Sequence, residues 1–230
     1  MPSPLRLALG GLLLAAPSLS HAQTAEPAQT TASRCYVGLA AYHSNFQNLA
    51  SWRSGDSGFR VPVQLSGGYQ LRPRLALELG VAYSVRTTRY AYDSYYFNTS
   101  GVAPAYYQYS NTTTGRTTSV TALARYGLTR QPAHRFQAQA LGGLTWVHRS
   151  FYSRGFEGDN LSGTLQSVPF ETRGTMNDLL LTAGVGLGYR LSPRFALNLD
   201  LTTNYDLRRS DTFDQYTGSA ALGVRYRLGK

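Results

Sequence analysis

The chain has 230 residues, among them 23 Gly, 17 Tyr and a single Cys, with 15% charged residues and a formal net charge of +10. That length accommodates one domain with a substantial buried surface and does not demand two, and a lone Cys35 excludes an intrachain disulfide, reading instead as a small apolar residue opening a strand. The basic balance does not point to nucleic acid, because the Arg residues are scattered singly and the only Lys is Lys230. No concentrated tract gathers phosphate; for an exported basic chain the expected counterparts are anionic lipid and lipopolysaccharide phosphates rather than DNA.

The first residues, MPSPLRLALGGLLLAAPSLSHAQ, carry one Arg, an apolar run from Leu7 to Ala16 and the small residues Ser20 and Ala22 around His21. This reads as a secretory signal peptide over 1–22. The apolar run is short for a helical span, which takes about 20 residues. Residues 23–33 read as a flexible leader and 34–230 as the folded domain, with Cys35 too far in to be a lipid-modified first residue.

From there the dominant period is two. Eight alternating segments follow, at roughly 34–43, 59–69, 75–86, 117–128, 136–147, 179–190, 195–205 and 216–228. Each is long enough to cross a bilayer as a tilted strand, which takes about 9–11 residues. Taking alternate residues, the third segment sets Leu75, Leu77, Leu79, Val81, Tyr83 and Val85 against Ala76, Glu78, Gly80, Ala82, Ser84 and Arg86. The sixth, seventh and eighth divide likewise, so one face is free of charge and the other carries Glu, Asp, Arg and Gly. A soluble barrel puts the apolar face inside and a membrane barrel puts it in lipid; alternation alone does not choose between them.

The segment ends favour lipid. YQLRPRLALE, Tyr69 to Glu78, returns as YRLSPRFALN, Tyr189 to Asn198, and Tyr69, Tyr126, Tyr189 and Tyr226 close segments in the apolar phase, with Phe136 and Phe195 opening the next ones. Such a ring suits a membrane interface, since Tyr has an apolar body and a polar tip. Tyr83, Trp146, Tyr205 and Tyr216 are expected at the opposite rim. Connections after the second, fourth and sixth segments are short, whereas Ser44 to Gly58, Thr87 to Arg116 and His148 to Asp178 are long and Asp206 to Gln215 is of moderate length. Short turns at one end and long loops at the other, with an even strand number, are the outer-membrane arrangement, with both termini periplasmic. The expected fold is an all-β, eight-stranded antiparallel up-and-down transmembrane β-barrel.

With its signal peptide, eight strands and closing GVRYRL, the chain resembles the small outer-membrane β-barrel domain family that includes the outer-membrane protein A and X type barrels, especially the forms in Bacteroidetes. The resemblance covers essentially the whole mature chain and implies a bacterial outer-membrane location and the barrel-assembly machinery as a partner. Family members typically end on an aromatic; here Tyr226 has the right phase but Leu228, Gly229 and Lys230 follow it. With the eighth strand closing the chain, no peptidoglycan-binding domain is expected.

No residue is singled out as catalytic, cofactor-binding or metal-ligating, and no cofactor is expected. The phases turn Glu78, Asp200, Arg125, Arg190, Arg225 and Arg227 inward, where charges must pair: either as a salt-bridged plug or as a narrow gated channel. Eight strands enclose room for side chains only, which excludes a general porin. A lipid-modifying enzyme would need His148 and Ser150 to meet an acid such as Glu157 or Asp159; His43 and His134 carry no such pattern. The stretch Tyr90 to Gly115 concentrates Tyr among Ser, Thr and Asn, suiting either an extracellular ligand or a plain extension of the strands. Arg86, Arg89, Arg116, Arg149 and Arg154 are expected near lipopolysaccharide phosphates. Asn98 and Asn111 begin acceptor-like triplets that carry no weight in a bacterium. The reading is a noncatalytic outer-membrane barrel with a structural or surface-binding role.

Overall fold

The computed structural model describes residues 34–47, 61–96, 105–130, 134–160, 166–208 and 215–229. The signal peptide and leader assigned to 1–33, and Asn98, lie outside them. Eight strands follow in order: β1 (Cys35–Ser44), β2 (Val63–Arg72), β3 (Leu75–Tyr96), β4 (Ala105–Gly127), β5 (Phe136–Asp159), β6 (Gln166–Arg190), β7 (Phe195–Asp206) and β8 (Tyr216–Arg227). Each pairs antiparallel with the next, and β1 pairs with β8 from Tyr36↔Arg227 to Ser44↔Ser219. Closure leaves the barrel itself without an open sheet edge.

The apolar phase faces outward. Leu79 is 56% exposed and Leu181 50%, while their neighbours Glu78 and Leu180 are 6% and 1% exposed. The same inversion holds for Leu39, Leu65, Leu197, Leu201 and Leu222, all exposed, against buried Ala40, Asn198, Asp200 and Ala221. A barrel with its hydrocarbon outside and its carboxylates inside is stable only where the outside is also hydrocarbon. No described helix is long and apolar enough to cross a membrane.

Several strand boundaries differ from the alternation pattern. After β2 the turn is tighter than expected: strand pairing runs to Arg72↔Leu75, with a register shift between Gln70 and Arg72 that leaves only Pro73 and Arg74 to reverse the chain. Pro there breaks no ladder bond. The larger difference is that the expected long loops after the third and fifth strands are mostly strand. β3 and β4 stay paired from Leu75↔Tyr126 to Tyr96↔Ala105, and β5 and β6 from Phe136↔Tyr189 to Asp159↔Gln166. β2 leaves β3 at Tyr83 and β7 leaves β6 at Leu180. Beyond that level, among the described residues, β3, β4, β5 and β6 continue as a four-stranded wall, on the order of 40 Å of strand.

Candidate functional site

Within the barrel, alternation on four strands aims Glu78 (β3), Arg125 (β4), Asp200 (β7) and Arg225 (β8) at one level of the lumen. Arg125 holds Asp200 with both guanidinium nitrogens, Nη2 to Oδ2 at 2.6 Å and Nη1 to Oδ1 at 3.0 Å, and reaches Glu78 Oε1 at 2.6 Å. Arg225 closes the square at 3.1 Å from Asp200 and 3.2 Å from Glu78. Tyr36 donates its hydroxyl to Glu78 at 2.8 Å, and the Arg225 guanidinium lies 5.5 Å from the Tyr36 ring centre. Glycine makes the room: a Cβ on Gly186 would stand 2.8 Å from Asp200 Oδ1 and 3.3 Å from Arg125. Two charges of each sign, mutually bonded, satisfy the demand that buried ions be paired.

Arg190 and Arg227, expected in the same cluster, do not join it. Arg227 is exposed and Arg190 half-buried at the short-turn rim; their phase is inward, but the last residue of a strand lies where the barrel has ended.

Toward the wall, a belt of hydroxyls lines the lumen. Thr121 and Thr145 share a bond at 3.1 Å, Thr145 and Thr182 one at 2.8 Å, and Thr182 donates to Asn204 at 2.8 Å. Asn204 donates to Ser219 at 3.2 Å. Between belt and quartet lies a cavity of about 20 Å³, lined by Tyr42, Thr121, Arg125, Thr182 and Asp200 among others. That is space for one water molecule and for no solute.

A third layer sits at the wall end of the lumen. After β1 the chain turns on reciprocal Ser44 and Gln47 backbone bonds of 2.9 and 3.1 Å, and Gln47 points across the barrel. Its amide donates to Thr117 O at 3.1 Å and accepts from the Ser119 hydroxyl at 2.9 Å, both on β4, leaving Gln47 2% exposed. The Arg149 guanidinium lies 4.9 Å from the centre of the neighbouring Phe46 ring and pairs with Asp178 at 2.7 Å. Nothing in the spacing of HSNFQN marks Gln47 as a crosspiece; the contact exists only once β1 and β4 face each other.

The wall has two unlike faces, fixed by the same alternation. The face continuing the lumen carries Tyr90, Tyr92, Tyr107, Tyr109 and Phe170, with ring centres 5.6 to 6.2 Å apart across β3 and β4 and Tyr109 stacked on Phe170 of β6 at 5.7 Å. The stack crosses Gly155 of β5, which pairs with Phe170; a Cβ there would lie 2.8 Å from the Phe170 ring. Phe151 covers Gly174 and Tyr36 covers Gly68 in the same way, each Gly directly opposite its aromatic. Tyr107 donates to Glu157 at 2.9 Å, and desolvation followed by that bond holds its phenol well above the usual range. The Tyr-rich segment is therefore both an extension of the strands and an exposed aromatic face, with Tyr90 58% exposed.

The opposite face carries Arg89, Arg116 and Arg154, with Arg89, Thr112 and Arg154 in one cross-strand row. Arg86 and Arg149 have the other phase, so the five arginines expected together divide between two faces. His148 and Ser150 share the outward face of β5, where His148 Nδ1 lies 2.8 Å from Asn177 Oδ1 and the ring stacks on Trp146 at 5.8 Å. Glu157 and Asp159 have the opposite phase and lie nine or more residues along the strand, so no acid meets that His. Among the described residues no group of three His, Cys, Asp or Glu is placed to hold a metal ion.

No curated protein matches the chain. Among solved structures it is similar to the attachment invasion locus protein Ail of Yersinia pestis, at 16% identity and a TM-score of 0.40 over 85% of this chain and 97% of that one. It is likewise similar to the N-terminal β-barrel domain of Pseudomonas aeruginosa OprF, at 16% and 0.39 over 85% and 98%, and to Acinetobacter baumannii CarO, at 11% and 0.43 over 83% and 97%. At such values the assignment rests on the family model, which matches residues 11–227 and does not distinguish a Bacteroidetes type. With its outward apolar face, closed eight-strand order and plugged lumen, the chain belongs to the outer membrane protein β-barrel domain family.

Proposed function

We propose that this is a noncatalytic outer-membrane barrel whose task is structural and surface-binding, exported by its signal peptide, inserted by the barrel-assembly machinery and oriented with both termini in the periplasm. The observation that carries the reading is the pairing of a lumen blocked at three levels with a wall that stands clear of the barrel and presents a continuous aromatic face. A blocked lumen leaves transport without a path, and Tyr supplies large amphipathic contact area at low entropic cost. The ligand of that face lies outside the cell, and lipopolysaccharide is the neighbour of the Arg89, Arg116 and Arg154 face.

Orientation and binding are tested together in a Cys35→Ser background. Intact cells carrying Ser94→Cys should react with a membrane-impermeant maleimide, whereas Ser192→Cys should react only after the outer membrane is opened. Cells should then be retained on at least one member of a glycan and protein array, and Tyr92→Ala with Tyr109→Ala should abolish that retention. The reverse labelling order overturns the orientation, and retention that survives both substitutions overturns the aromatic face. In planar bilayers the purified chain should pass no stepwise current.

A further inference from the structure

The excess positive charge of this protein is concentrated at one end. The lumen quartet is neutral. By sequence, the strand extensions and connections at the wall end hold ten Arg against nine carboxylates, nearly balanced. The short-turn end holds Arg34, Arg72, Arg74, Arg130, Arg135, Arg190, Arg194 and Arg227, and the segments that build it (34–35, 69–75, 126–136, 189–195 and 226–229) contain no Asp or Glu. All eight are exposed except the half-buried Arg190. Arg74 donates to the Arg130 carbonyl at 3.4 Å, so adjacent turns are in contact.

A second observation places this charge. The lipid-facing aromatics Tyr69, Tyr126, Tyr189, Phe136 and Phe195 are all 43 to 53% exposed at the same end, and Tyr226 packs on Phe195 with ring centres 4.9 Å apart. Arginine accompanies them along the chain: Arg135 precedes Phe136, Arg190 follows Tyr189, Arg194 precedes Phe195, Arg227 follows Tyr226 and Arg72 stands three residues after Tyr69. Aromatic residues of this kind lie at the headgroup level. Arg190 and Arg227, inward in phase, stay at the mouth of the lumen, whereas the exposed turn residues Arg72, Arg74, Arg130 and Arg194 lie beyond the aromatic level and reach phosphates, which a guanidinium binds through paired N–H donors. We infer that the short-turn end is a girdle for anionic phospholipid headgroups, selecting phosphatidylglycerol-type lipids in the leaflet it meets. The inference rests on the membrane reading of the barrel and goes beyond it in assigning a lipid class and a leaflet.

The test uses the full folded barrel in nanodiscs of phosphatidylcholine with and without a minor fraction of phosphatidylglycerol. Retained lipid is counted by native mass spectrometry, and a gel mobility shift on boiling reports insertion. Wild type should insert in both and retain phosphatidylglycerol over its bulk share by about fivefold per engaged guanidinium, the effect of one basic residue at an anionic surface. That preference should fall with added salt, vanish with R72Q, R74Q, R130Q and R194Q combined, and survive R89Q, R116Q and R154Q combined at the other end. Equal retention by wild type and the girdle variant, or no preference in wild type, overturns the inference while the mobility shift leaves the barrel reading intact. Failure to insert in either lipid sinks the membrane reading and the inference with it. Co-sedimentation with purified cell-wall sacculi that the girdle variant loses, with lipid retention unchanged, assigns the charge to the wall and overturns the lipid girdle.

Discussion

Arg125 on β4 and Asp200 on β7 meet across the lumen through two parallel bonds of 2.6 and 3.0 Å, with Arg125 only 2% exposed. Replacing Arg125 by Met leaves Glu78 and Asp200 to share Arg225 in a buried space. The expected loss is about 3–5 kcal/mol, the cost of removing one partner from a buried pair. Urea titration of the barrel in lipid vesicles measures it. Adding Asp200→Leu should recover a large part, because the stranded charge goes with it.

Leu79 distinguishes lipid from water outside the barrel. It is 56% exposed near the middle of the membrane-crossing part of β3. Leu79→Arg should destabilise the inserted barrel by about 2–4 kcal/mol, the cost of Arg at the midplane of a lipid-facing strand. On a water-facing surface the same change would be close to neutral, so an unchanged unfolding midpoint in vesicles contradicts the lipid-facing assignment.

Gly174 holds the wall together locally. Its nearest neighbours are atoms of the Phe151 ring, which occupies the space a side chain would take. Gly174→Val should displace that ring and weaken the β5–β6 extension by about 1–3 kcal/mol, a typical overpacking cost. Trypsin should then cleave faster at Arg149, Arg154 and Arg173, while the mobility shift of the barrel on boiling stays as in wild type.

The Tyr107 phenol ionises late, because desolvation and its bond to Glu157 raise its ionisation above the usual pH of about 10. For a group raised on folding, the stabilising neutral form is fully present below the ordinary value and is lost as the pH climbs through the folded one. Phenolate absorbance should therefore lose one late-titrating component in Tyr107→Phe. Glu157→Gln should move that component to lower pH.

Much of the barrel was legible because its physics is local. An outward and an inward face repeat every second residue, so Leu75 to Val85 and their partners on β6, β7 and β8 revealed both faces, and four of the six inward charges met as expected. The wall was not legible by the same rule. From Ser84 to Tyr96 and from Ala105 to Thr117 the two faces differ as Tyr-rich against Arg- and Thr-bearing rather than as apolar against polar, so no hydrophobic contrast marks a strand, although Tyr and Thr favour one. Gln47, Tyr36 opposite Gly68 and Phe170 opposite Gly155 were hidden for another reason: each contact joins residues that only strand pairing brings together.

The amino-acid sequence by itself determined the number of crossings, the two faces of each strand and the aromatic punctuation of the turns, because these depend on neighbours one or two positions away. Tertiary structure decided which charges neutralise one another. Closing the sheet brought Glu78, Arg125, Asp200 and Arg225 to one level and left Arg190 and Arg227 at the rim. It also gathered the turn arginines, dispersed through the chain, into one band at one end, since electrostatics acts through space and not along the chain.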